Sequence, residues 1–192
     1  MDTADKKQRL VPPPGEDFWV FGYGSLMWHP GFPHLEVRKG MLYGYHRHFC
    51  VYSHNYRGTP DCPGLVLGLD KGGACRGLVY RVPAAESEPA MDYLYEREMN
   101  TGVYTPRWLA VRSDTGSGPA TVRAIAFVVD PSHGQYTGRL TLEQTLAYVM
   151  QGHGKRGPCV EYLENTVRHL RALGLRDRGL ERLLRAAEAR RS

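Results

Sequence analysis

The sequence predicts an α+β fold, a small and mostly antiparallel β-sheet or β-barrel covered by helices. Strand-like segments dominate the first two-thirds of the chain, and amphipathic helical segments fill the last third. With 192 residues, 42% of them hydrophobic, the chain is long enough for one domain around a single core. Residues 1–17 are polar and then proline-rich. They read as a flexible leader, which leaves residues 18–192 as the folded domain.

Taken in order, Phe18-Trp19-Val20-Phe21 is a short apolar run suited to a buried strand. It stops at Gly22-Tyr23-Gly24-Ser25-Leu26, where two glycines permit a tight backbone path. Further strands are expected over residues 42–52, 65–69, 77–82, 108–112 and 121–129, with a short helix over residues 87–99. Thr141-Leu142-Glu143-Gln144 has the form of a capping box, Leu142, Leu146, Val149 and Met150 mark one helical face, and Gly152 is a natural stop. Val160, Leu163, Val167 and Leu170 mark a second helix that ends near Gly174. Asp177 can cap a third, with Leu180, Leu183 and Leu184 turned inward.

Glu98 is the most informative single residue. Met91, Leu94 and Tyr95 occupy i, i+3 and i+4 of the helix over residues 87–99, and the next position on that stripe is Glu98. A carboxylate facing a core is costly unless compensated, and burial raises its pKa, which suits proton transfer near neutral pH. The same position is also compatible with an ion pair to Arg97 or with a helix end that tips the side chain into solvent.

Other candidates are weaker. The N–H groups of the turn at residues 22–26 can form a small concavity for an anion or a polarised carbonyl. Ser25 lacks the Gly-x-Ser-x-Gly context of a nucleophile elbow. Arg57, in the turn-forming Asn55-Tyr56-Arg57-Gly58-Thr59-Pro60, suits either a substrate carboxylate or the surface. His46, His48 and Cys50 alternate along one strand. Same-face neighbours there stand roughly 6.5–7 Å apart, so a partly exposed polar face is expected rather than a metal site. Gly152-His153-Gly154-Lys155-Arg156-Gly157 matches a dinucleotide-binding pattern by letter but follows a helix instead of a strand, and so reads as a loop between helices.

Composition narrows the class. No apolar run approaches membrane-spanning length, and the charged N-terminus lacks a signal-peptide core. Four scattered cysteines form neither a disulfide framework nor a zinc knuckle, and a cytoplasmic protein with reduced thiols is expected. The net charge of +5 owes much to arginines in the last helices. Interspersed glutamates make a solvated helix face the better reading than nucleic-acid binding.

Together the segments resemble a known family. Phe18-Trp19-Val20-Phe21-Gly22-Tyr23-Gly24-Ser25-Leu26-Met27-Trp28 is similar to the N-terminal signature of the ChaC family, the glutathione-specific γ-glutamylcyclotransferases. Gly44-Tyr45-His46-Arg47-His48-Phe49, Arg57-Gly58-Thr59-Pro60, Pro63-Gly64-Leu65-Val66-Leu67-Gly68-Leu69-Asp70 and Tyr93-Leu94-Tyr95-Glu96-Arg97-Glu98-Met99 follow in order, and Gln135-Tyr136-Thr137-Gly138 and Gly152-His153-Gly154 come later.

The resemblance implies a small β-barrel with surrounding helices and the cleavage of glutathione to 5-oxoproline and Cys-Gly. It implies that Gly22, Tyr23, Gly24, Ser25, Leu26 and Met27 receive the γ-glutamyl group and that Glu98 is the general acid–base. Arg57 and Tyr104 are further expected pocket residues. The only implied partner is the small-molecule substrate, and the reaction requires no metal or organic cofactor. The same cyclisation on another γ-glutamyl amide and a non-catalytic binding role are the alternatives.

Overall fold

The structure, a computed structural model, describes residues 9–114 and 118–191. Five strands close into a barrel: β1 (Phe18–Gly22), β2 (Glu36–Ser53), β3 (Gly64–Val82), β4 (Tyr104–Asp114) and β5 (Pro119–Val129), in the order β1-β3-β2-β4-β5. Neighbours are antiparallel except at the closure, where β1 runs parallel to β5 through Trp19↔Ala124 and Val20↔Ile125. Phe18, Val20, Phe21, Leu42, Leu69, Val79, Val111, Ile125 and Phe127 are buried members of the core. The expected α+β barrel is therefore the observed architecture.

The strands differ from the sequence reading in their bounds. The separate strands expected over residues 65–69 and 77–82 belong to one 19-residue strand, β3, and β2 begins at Glu36. The long β2–β3 ribbon stays paired through an irregularity between Tyr43 and Tyr45, where Gly44 on one strand and Gly72 and Gly73 on the other take φ values of 83°, 100° and 68°. Only glycine adopts such angles without strain, so a run that looks like a strand break in sequence is a bend within one strand.

Helix α1 (Ser87–Glu98) follows β3, and its Ala90, Met91 and Leu94 are buried. Helices α2 (Leu142–Gln151), α3 (Cys159–Ala172) and α4 (Arg178–Arg191) pack on one another, and α2 and α3 also rest on β3. Thr141 and Gln144 form the complete capping box of α2, with Gly152 at its end. Asp177 caps α4 through Oδ1, which accepts from the Leu180 N–H at 3.1 Å. Several arginines of the last helices meet acceptors: Arg168 reaches Asn165, Arg171 reaches Glu181, Arg190 reaches Glu143 and Arg191 reaches Glu164.

Between α2 and α3 the glycine-rich segment forms two tiny strands, β6 (His153–Gly154) and β7 (Gly157–Pro158). Its glycines serve close packing. A Cβ on Gly152 would stand 2.5 Å from the Arg57 carbonyl oxygen, and one on Gly154 would stand 2.5 Å from the Asn55 carbonyl oxygen. The N–H groups of Lys155 and Arg156 donate to the carbonyls of Asn55 and Tyr56, each at 2.9 Å. Upstream of β1, residues 1–8 lie outside the described residues. Residues 9–17 rest on the start of the fold through Arg9–Asp92, the Leu10 N–H on the Tyr95 hydroxyl, and Asp17 accepting from the Ala84 N–H.

Candidate active site

The chain leaves β1 at Gly22 and makes a single 3-10 turn, Ser25–Met27, closed by Met27 N–H on the Gly24 carbonyl and His29 N–H on the Ser25 carbonyl, both at 2.9 Å. The Tyr80 hydroxyl reaches the carbonyls of Leu26 and Met27 at 2.9 Å each, and Arg47 Nη1 donates to the Tyr23 carbonyl at 2.7 Å. Arg47 is itself buried and paired with Asp177 through Nη2 at 2.9 Å. The turn is therefore fixed by β3, by β2 and, through Asp177, by the start of α4.

Facing the turn is the last residue of α1. Met91 and Leu94 are inward, and Glu98, one turn beyond Leu94, keeps only 17% of its side chain exposed, whereas Glu96 is exposed. Burial pushes the Glu98 carboxyl above the usual carboxylate range, and the adjacent Arg97 cation partly offsets this. Arg97 Nε lies 3.2 Å from Glu98 Oε1, so the ion-pair reading of the sequence and the buried-carboxylate reading both describe this residue. Arg97 also donates through Nη2 to Ser25 Oγ at 2.8 Å and through Nη1 to the His29 carbonyl at 2.6 Å and the Tyr93 hydroxyl at 2.7 Å.

Three phenols share this environment, Tyr23 buried and Tyr104 and Tyr162 partly buried. Tyr23 donates to the Phe127 carbonyl at 2.9 Å and Tyr104 to the Leu67 carbonyl at 2.7 Å. Burial first, and the Glu98 charge among smaller contributions, hold the hydroxyls of Tyr23, Tyr104 and Tyr162 well above the ordinary phenol range. They remain neutral hydrogen-bonding groups across the whole working range of pH.

These elements line one cavity of about 1180 Å³, slightly above the usual size of ligand pockets. Of the residues expected from sequence, Tyr23, Gly24, Ser25, Leu26, Arg57, Glu98 and Tyr104 line it. Gly22 and Met27 do not. Gly22 ends β1, and Met27 is buried in the core beneath the turn. Arg57 sits at the wall with its guanidinium 5.2 Å from the centre of the Tyr162 ring and donates to the carbonyls of Arg156 and Pro158. The cavity contains four arginines, Arg57, Arg97, Arg156 and Arg168, against two acids, Glu96 and Glu98.

Sequence reasoning missed Tyr162 and did not count Arg97 among the site residues. Tyr162 sits beside the inward Leu163 on α3, and no spacing rule separates a cavity-lining tyrosine there from a packing one. The reach of Arg97 to a turn some seventy residues upstream is a tertiary fact.

The sequence profile of the family described as ChaC-like protein matches residues 18–190. The chain belongs to the ChaC-like family. It is 39% identical over 166 residues to the glutathione-specific γ-glutamylcyclotransferase of Escherichia coli, which covers 86% of this chain and 71% of that protein. It is 34% identical over 167 residues to γ-glutamylcyclotransferase 2-3 of Arabidopsis thaliana, covering 83% of each. A crystal structure of a yeast γ-glutamyl cyclotransferase specific to glutathione matches with a TM-score of 0.81 over 91% of this chain and 96% of that one, at 22% identity, a likeness of fold. The ChaC-like match begins at β1 and runs into α4, so it takes in the turn, Glu98 and every helix of the cavity wall.

Proposed function

We infer that this protein is a glutathione-specific γ-glutamylcyclotransferase, with residues 18–192 as its single catalytic domain. The observation that carries the reading is the buried Glu98 carboxyl, raised in pKa and facing the Ser25–Met27 turn across a cavity large enough for a tripeptide. Family membership and the names of the E. coli and yeast relatives support the substrate. The arginine excess of the cavity supports it independently, because glutathione carries two carboxylates and one ammonium.

The chemistry is an intramolecular acyl transfer. The α-amino nitrogen of the γ-glutamyl group attacks its own γ-carbonyl carbon, closing a five-membered lactam. The bond from that carbon to the cysteine nitrogen then breaks. The products are 5-oxoproline and Cys-Gly, and no water is consumed. Holding the bent conformer is the first contribution of the site, and good orientation alone is worth up to roughly 7–11 kcal/mol in the best intramolecular cases. In this reading the turn at residues 23–26 grips the glutamyl end, with its backbone N–H groups directed at the α-carboxylate or at the developing oxyanion.

Glu98 moves the protons. As the carboxylate it takes one from the α-amine, and as the acid it returns one to the leaving nitrogen, so carboxyl and substrate end the cycle in balance. A pKa raised toward neutrality suits both roles better than that of an exposed glutamate. The reaction calls for neither metal nor organic cofactor. A cytoplasmic setting belongs to the same reading, supported by four free thiols, and no described helix is long and apolar enough to cross a membrane.

The test is product analysis of the purified protein with glutathione, beside Glu98→Gln. Equimolar 5-oxoproline and Cys-Gly, lost in the variant, is the expected result. Free glutamate would mean hydrolysis and would overturn the mechanism. Turnover only of other γ-glutamyl amides would overturn the substrate.

A further inference from the structure

We propose that His46, His48 and Asp70 form a binding site for a divalent transition-metal ion of the Zn²⁺ type on the β2–β3 ribbon, separate from the Glu98 cavity. His46 and Asp70 are directly paired across the ribbon, and His48 lies two residues further along β2. The two imidazoles stack with centroids 4.6 Å apart and planes 15° apart, so the side chains lean together where their backbone positions alone would hold them apart. One donor atom from each of the three residues falls within 4.8 Å of the others. None of the three lines the cavity.

The donor set is two imidazoles and a carboxylate, the combination that suits zinc and its neighbours rather than magnesium or calcium. Cys50, the third member of the sequence alternation, is instead buried in an apolar cluster with Val51, Val103 and Val129.

The surroundings orient these donors as a metal site requires. His46 Nδ1 lies 3.0 Å from the Gly72 carbonyl oxygen, which only accepts, so Nδ1 carries the proton and the neutral ring keeps its Nε2 lone pair free. Asp70 is 7% exposed, with Oδ1 accepting from the Lys71 N–H at 2.8 Å and Oδ2 accepting from the Tyr136 hydroxyl at 2.7 Å. Its carboxylate is therefore aimed and anchored.

One edge of the coordination shell is already spaced correctly. His48 Nε2 and Asp70 Oδ2 are 3.2 Å apart. Two ligands about 2.0–2.1 Å from one ion at a tetrahedral angle stand about 3.3 Å apart. When the ion takes Nε2, the proton of neutral His48 moves to Nδ1, so the imidazole keeps its charge. A small hinge of the half-exposed His46 side chain closes the remaining distance, and water completes the shell. Arg139 acts electrostatically on His48 and on Tyr136 and opposes a cation, and the buried Asp70 charge offsets it.

The test uses the full chain, free of any affinity tag and stripped with chelator, titrated with Zn²⁺ by calorimetry and followed by thermal melting. One equivalent should bind and raise the melting temperature. His46→Ala and His48→Ala should each weaken binding by at least about tenfold and lose the shift, while melting normally without Zn²⁺. Cys62→Ser, which removes the exposed thiol, should bind as the parent does. No stoichiometric uptake, uptake unchanged in both histidine variants, or uptake lost in Cys62→Ser would each overturn the proposal.

Discussion

Arg97 donates through Nη2 to Ser25 Oγ at 2.8 Å while its Nε stands 3.2 Å from Glu98, so one cation spans the candidate base and the turn opposite it. The serine hydroxyl is thereby occupied as an acceptor, and no histidine partners it among the hydrogen bonds of the described residues.

Ser25→Ala should be mild. It removes one acceptor of Arg97 and leaves the His29 and Tyr93 contacts and the turn's backbone bonds in place. Steady-state kinetics should show most of kcat retained. A total loss would point instead to a nucleophilic serine.

Glu98→Gln should lower kcat by about 10²–10⁴-fold, the usual worth of general acid–base help, with little change in the affinity for glutathione. Its effect on stability has the opposite sign. The folded-state pKa of Glu98 is raised, so its contribution is full below the unfolded pKa and is lost as pH rises through the folded one. Above the folded-state pKa the ionised, desolvated carboxylate is a burden, and there the glutamine variant should melt no lower than the parent.

Arg97→Met should move the pH profile. The arginine charge lowers the Glu98 pKa, so its removal raises that pKa further, and the acidic limb of kcat should shift to higher pH. A purely structural role for Arg97 would lower activity without moving the limb. Comparing full pH–rate profiles of the two proteins separates the outcomes.

Arg47→Met leaves Asp177 without its cation and the Tyr23 carbonyl without its donor. Breaking a fully buried pair from one side typically costs about 3–5 kcal/mol; Asp177 keeps 19% of its side chain exposed, so the loss should be smaller, and denaturant melts would resolve it. The double variant Arg47→Met with Asp177→Asn should recover part of that loss, since it leaves no unpaired charge.

Much of this architecture was legible because it rests on local rules. The capping box at Thr141, the stop at Gly152 and the Asp177 cap are short-range chemistry, and all three stand where the sequence placed them. The division of β3 failed because Gly72 and Gly73 look like a turn when the pairing of Lys71 and Ala74 with β2 on either side of them is not visible. At the site, the stripe of Met91, Leu94 and Tyr95 pointed to Glu98, while the family resemblance supplied the turn and the substrate. Tyr162 and the fan of Arg97 contacts stayed hidden because they depend on elements far apart in the chain. The third donor beside His46 and His48 came from the opposite strand, where alternation along one strand says nothing.

Asp177 has one further consequence, in the order of synthesis. Its Oδ1 starts α4, and its Oδ2 holds the arginine that grips Tyr23. On a ribosome the turn after β1 emerges early, but the carboxylate that neutralises Arg47 lies about 150 residues further along the chain. A nascent chain can form the barrel strands before that moment, yet the turn after β1 still lacks its final anchor. The competence to consume glutathione would then arrive with the last helix, and partly made chains would be spared from acting on the cell's thiol pool.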